Sequence, residues 1–154
     1  MALELRRNDA DVVFSSTEPK AVETGAIIAR ELEIHLEVVA DLHEHAGGGV
    51  GDWVSESEFR SRISEFFGNP SRIVFGAESA DDAYSRFARA IDKLVAESPS
   101  KSPAVVSHGT VMSLFAARAN ELDPDEVWDG LTSPGFILTG IPRLEILETW
   151  RFPE

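Results

Sequence analysis

The chain has 154 residues, enough for one domain with a core of its own. Apolar residues make up 43% and charged residues 27%, ordinary values for a globular domain, so we read residues 1–154 as a single domain. A net charge of −13 with no basic cluster excludes a nucleic-acid partner, and an anionic ligand would need a local positive pocket. The absence of cysteine excludes disulfides and thiolate metal sites and fits a cytoplasmic location. No apolar run approaches the roughly 18 residues of a membrane helix, and Met1–Arg7 lacks the apolar stretch of a secretory signal.

Leu3–Arg7 reads as the last turn of a helix, and Asp11–Ser15 as a short buried strand rich in β-branched residues. Glu18–Glu33 follows as a helix with Val22, Ala26, Ala29 and Leu32 on one apolar face, Thr17 as cap and Pro19 in the first turn. His35–Ala40 is the next strand. The glycine run Gly47–Gly51 lacks the strand–helix setting of a phosphate cradle and reads as a mobile surface loop. Ser55 and Glu58 fit a capping box for a helix to about Phe67.

Ser79–Ala96 is the longest helix, with Ser79 and Asp82 at its start and Ala83, Phe87, Ala90, Ile91, Leu94 and Val95 as its core stripe. Ala104–Ser107 is a buried strand and Thr110–Leu122 a helix. Asp123-Pro124-Asp125-Glu126 starts a further short helix. Gly135–Thr139 and Leu144–Trp150 form two closing strands, a hairpin through Gly140-Ile141-Pro142. Trp53, Trp128 and Trp150 are read as core or partly buried aromatics. Alternating strands and helices predict an α/β fold, a three-layer αβα sandwich around a mostly parallel sheet.

His108 stands at the carboxyl end of a buried strand, where open α/β sheets bind ligands. Gly109 opens the helix behind it, whose N-terminal N–H groups favour anions. An imidazole there can donate to a phosphoryl oxygen. Lys20, in the first turn of its helix, offers a flexible positive charge. Arg86 is read as a surface ion-pair partner. His43-Glu44-His45 places two histidines on one strand face, but a chance meeting of surface histidines outweighs a metal site, and no metal is expected.

Two segments, Ser15-Ser16-Thr17-Glu18-Pro19-Lys20-Ala21-Val22-Glu23-Thr24 and Val105-Val106-Ser107-His108-Gly109, together resemble the histidine phosphatase superfamily, the phosphoglycerate-mutase-like proteins. The resemblance spans about residues 3–150. It implies that His108 orients and stabilises a transferring phosphoryl group and that Glu44, in Leu42-His43-Glu44, is proton donor to the leaving group. Ser16, Lys20 and Gly109 would bind the phosphate, with Lys20 where the family has arginine. It also implies a cap or lid at about residues 43–79, a phosphate or phosphorylated small molecule as partner, and no cofactor.

The family nucleophile is a histidine in an Arg-His-Gly motif on the first strand, and no Arg-His-Gly occurs here. Against the family pattern the chain reads as N-terminally truncated, with Leu3–Arg7 as the end of the family's first helix. Three functional readings follow. One is a phosphatase or mutase-like enzyme with another nucleophile, and another is a non-catalytic module that binds a phospholigand or a protein partner. The third is a truncated remnant that keeps only the fold. Because the missing strand is central in the family's sheet, its neighbours would expose unpaired edges, which predicts pairing with another chain, such as a homodimer.

Overall fold

A computed structural model describes residues 2–45, 55–98, 102–141 and 143–151. The glycine run and Trp53 lie outside the described residues. In chain order the elements are α1 (Ala2–Arg7), β1 (Val12–Ser15), α2 (Pro19–Leu32), β2 (His35–Val38), α3 (Glu56–Gly68), α4 (Ala80–Glu97), β3 (Pro103–Val106), α5 (Gly109–Ala119), α6 (Pro124–Gly130), β4 (Gly135–Thr139) and β5 (Ile146–Arg151).

The main sheet is parallel, in the order β2-β1-β3. Val13 stands opposite Leu36 on one side and Ala104 on the other, so β1 is buried between two partners. Alternation along the strands sends their side chains to two faces. Val13 and Ala104 meet Ile28 and Ala29 of α2, while Val12 and Phe14 join the larger core with Phe66, Phe87, Ile91, Val111 and Leu114. Helices therefore cover both faces of a parallel sheet, the expected α/β architecture. The closing strands do form an antiparallel hairpin, β4 with β5, but as a separate two-stranded sheet.

Local sequence chemistry explains most element ends. Ser79 and Asp82 make the reciprocal capping box at the start of α4. The Ser55 side chain accepts from the Glu58 N–H, and Asp123 from the Asp125 N–H. At α2 the expectation needs correcting: the cap residue is Glu18, not Thr17, and it makes no side-chain cap bond.

The buried stripe of α2 is also rotated from the expected one. It runs Ala21, Gly25, Ile28 and Ala29, with Ala26 exposed. The small residues are chosen because the sheet lies close. A Cβ on Gly25 would stand 3.1 Å from Leu36 Cδ1 and 3.2 Å from Ser15 Cβ. Apolar periodicity favours the larger Val22 as a core residue, whereas tight helix–strand packing favours the glycine.

Gly25→Val should therefore overpack this seam. We expect a loss of about 1–3 kcal/mol, measured as a lower urea midpoint with an unchanged slope. An unchanged midpoint would mean that α2 moves off the sheet at no cost.

Candidate functional site

The ends of β1 and β3 place Ser16 and His108 side by side, both buried. Ser16 Oγ lies 2.8 Å from His108 Nε2 and also accepts the Glu18 N–H at 3.1 Å. Glu18 Oε1 is 3.1 Å from the same Nε2. A carboxylate only accepts, so a proton on Nε2 satisfies Glu18, with Ser16 Oγ beside it. Lys20 Nζ is 3.5 Å from Glu18 Oε2, and its side chain is 70% exposed.

Glu18 is the residue that the sequence reading missed. It sits between Thr17 and Pro19, and as a helix-start acid it looks like one of many. Position alone makes it central. Its Oε1 also accepts the Glu44 N–H at 2.9 Å. Burial pushes its pKa up, but that N–H and the charges of His108 and Lys20 outweigh burial and hold it below the ordinary value.

Glu44 stands at the start of α5. Its carboxylate accepts N–H groups from Thr110 at 3.2 Å, Val111 at 3.1 Å and His45 at 2.9 Å. A helix leaves its first N–H groups without partners, and the cap residue of α5, His108, makes no side-chain cap bond. Glu44 supplies that cap from a distant loop. Gly109 remains exposed at the helix start. A Cβ there would come only to 3.7 Å from Trp128 Nε1, ordinary contact, so packing does not demand the glycine.

Arg86 holds the Glu44 loop, and here a sequence expectation is corrected. It does pair with Glu78, at 2.7 Å, but it is buried and not on the surface. Its guanidinium also donates to the carbonyls of Asp41 at 2.7 Å, His43 at 3.0 Å and Glu44 at 3.3 Å. The planar fork suits this multiple contact. Sequence spacing carried no sign of it, because the partners are some forty residues away.

The two histidines of the triplet have different surroundings. His45 is buried between Phe66 and Phe75, with ring centroids at 4.7 and 4.4 Å, and neither ring nitrogen has a hydrogen-bond partner. His43 is half-buried and near enough to His108 to lower its pKa. Among the described residues no group of three ligating side chains could hold a metal.

Lys20, Glu44, His108 and Gly109 all line a cavity of about 780 Å³. It extends from His108 between β3 and β4, under Phe87, Ile91 and Leu94 of α4. The structure thus brings the sequence-selected residues together at one end of a single cavity, with Ser16 directly behind His108.

A model of the histidine phosphatase superfamily, branch 1, matches residues 1–136. The chain belongs to that superfamily. No curated protein matches it by sequence. Solved structures share the fold. A phosphoserine phosphatase mutant from Entamoeba histolytica, in complex with phosphoserine, aligns with a TM-score of 0.71 at 18% identity, covering 96% of this chain and 77% of its own. A mycobacterial glucosyl-3-phosphoglycerate phosphatase with inorganic phosphate gives 0.61 at 20% identity, covering 85% and 68%. A structure described as mycobacterial hydrolase 2 gives 0.64 at 19% identity, and this chain spans 60% of its length. Among the described residues no helix is long and apolar enough to cross a membrane.

Two predictions concern this region. Burial lowers the pKa of both His45 and His108, against the opposing pull of Glu44 on each. The unfolded chain, with histidine near 6.5, then binds more protons than the folded one below that pH. Stability should fall as pH drops below about 6.5, and further as Glu18 is protonated in the carboxylate range. Unfolding midpoints measured from pH 7 to pH 5 should show this slope, reduced in His45→Leu. A flat profile would contradict the burial of both rings. Separately, Arg86→Met should cost about 3–5 kcal/mol, because it breaks a buried ion pair and strips donors from three loop carbonyls. A loss below ~1 kcal/mol in urea unfolding would show that the loop holds itself.

Proposed function

We propose that the chain binds a phosphate monoester at the His108 end of the cavity, as a phosphatase-family site that binds without turnover by itself. One observation carries the reading: an internal anion already lies on a converging set of donors. The Glu18 carboxylate is held by His108 Nε2 at 3.1 Å, the Glu44 N–H at 2.9 Å and Lys20 Nζ at 3.5 Å. A ring N–H, a backbone N–H and an ammonium group are donors that a phosphoryl oxygen also accepts. The side chain of Glu18 is one-third exposed, so it can swing aside for a ligand.

In this reading His108 donates to the phosphoryl oxygen, Lys20 neutralises charge and Ser16 fixes the imidazole. Glu44 holds the start of α5 in place and stands ready as the carboxyl nearest a leaving group. Hydrolysis through a covalent intermediate would need a nucleophile in line with phosphorus. His108 is the one histidine lining the cavity among the described residues, and its Nε2 is already engaged. Local charge agrees with weak binding. With His108 neutral, Glu18 and Glu44 outweigh Lys20, so anion affinity rises only when Glu18 leaves.

Glu18→Gln removes the competing charge and should tighten inorganic phosphate binding by about tenfold or more, a factor worth ~1.4 kcal/mol. Phosphate-dependent thermal stabilisation reads it directly, with His108→Ala as the loss-of-site control. Hydrolysis of an aryl phosphate is assayed on the same samples. Turnover that His108→Ala lowers by about 10²-fold would replace the binding reading by an enzyme with another nucleophile. No phosphate effect in any variant would sink both.

A further inference from the structure

β3 is an edge strand with a cavity on its free side. Toward β1 it presents Ala104 and Val106, and the Ser16 N–H donates to the Val106 carbonyl at 2.9 Å. Successive residues of a strand turn their main-chain groups to opposite sides. The Pro103 carbonyl, both groups of Val105 and the Ser107 N–H therefore face away from β1, into the 780 Å³ cavity. Pro103 fits this edge because it has no N–H to leave unpaired.

The opposite wall is another strand. All five residues of β4 line the cavity, and β5 is the strand partner of β4 among the described residues. Ile28 of α2 and Phe87, Ile91 and Leu94 of α4 also line it. One strand residue in a packed sheet fills roughly 3.3 × 4.8 × 10 Å, or about 160 Å³. The gap thus has room for about five residues, the length of the edge from Pro103 to Ser107.

We infer that this gap is a docking slot for one extended segment of another polypeptide chain, about five residues long, apolar on both faces and basic at the end beside His108. The main chain of β3 selects polypeptide. A lipid tail or small apolar ligand would leave the Val105 N–H and C=O unpaired in an apolar space, at a cost of a few kcal/mol. The apolar helices select the body of the segment, since a strand buried on both faces is a near-continuous apolar run. Charge selects its end, because Glu18 and Glu44 outnumber Lys20 there. A second copy is the poorer occupant. The apolar strands of this chain are already paired in their own sheets, and a copy would have to break one. The inference rests on the geometry of the two sheets and not on phosphate binding, so either can fail alone.

The test uses the full chain and a labelled synthetic peptide, acetyl-Val-Ile-Val-Ile-Val-Arg-Arg-amide, in high salt to screen general charge attraction. A control peptide of the same sequence carries N-methyl groups at alternate residues, which blocks pairing on one edge. The expected result is saturable binding by the first peptide, about tenfold or more tighter than the control, the worth of one or two backbone hydrogen bonds. Amide hydrogen exchange at Val105 and Ser107 should slow on binding, while Ala104 and Val106 stay protected throughout. Equal binding of both peptides, or unaltered exchange at Val105 with the first peptide at saturation, overturns the inference. So does the absence of binding. A chain that is dimeric in solution with the Val105 amide protected before any peptide is added also overturns it, and assigns the edge to a second copy.

Discussion

The buried guanidinium of Arg86 is the contact from which the site is built. One side chain donates to three successive carbonyls of the loop after β2 and closes on Glu78. Loop backbone buried without partners is costly, and Arg86 removes that cost for the turn at Asp41–Glu44. Ser107 adds a bond from the end of β3 to the Leu42 carbonyl, at 2.7 Å. The loop is thereby held against the start of α5, and Glu44 reaches the N–H groups of Thr110 and Val111. The position of His108 between Ser16, Glu18 and α5 follows from that brace. Chemistry at one strand end thus depends on a residue in the middle of a helix on the far side of the sheet.

The electrostatics of the site balance within the folded chain. Glu44 answers the helix N-terminus, and Glu18 answers His108 and Lys20. Both acids sit where family logic looks for an incoming anion. A pocket whose donors are already matched by its own carboxylates is stable but poorly receptive, and it opens through the one partner that is part-exposed. Lysine in place of a planar, bidentate arginine fits this state, since a single ammonium can pair with Glu18 and still face solvent.

Backbone pairing is unevenly distributed through the same molecule. β1 is paired on both sides and fully buried, whereas β3 is paired on one side and lines a cavity on the other. The hairpin of β4 and β5 stands apart from the parallel sheet. The rigid part of the protein therefore lies around β1, α2 and α4, and the least satisfied backbone lies along β3, next to the candidate site. His45, wedged between two phenylalanines with both nitrogens unpartnered, is a second place where polar groups remain unmatched.

Sequence alone determined the kinds of elements and their order. β-branched runs, the Ser79–Asp82 capping box, the Asp123-Pro124 start and the core stripe of α4 are local signals, and local physics reads them within a few residues. The segments around Ser16–Thr24 and Val105–Gly109 also marked the family, and with it His108, Lys20 and Glu44 as residues to examine. What only the tertiary structure decided depends on partners far apart in the chain. Gly25 replaced the predicted stripe because the sheet approaches α2 too closely for a side chain. Arg86 became a buried brace because its acceptors are loop carbonyls, which no side-chain pattern encodes. Glu18 became the centre of the site because the Glu44 N–H, His108 and Lys20 converge on it, and convergence is a property of three dimensions. The gap between β3 and β4 is of the same kind, since a strand carries its apolar pattern in its own residues but its neighbours are assigned by the fold.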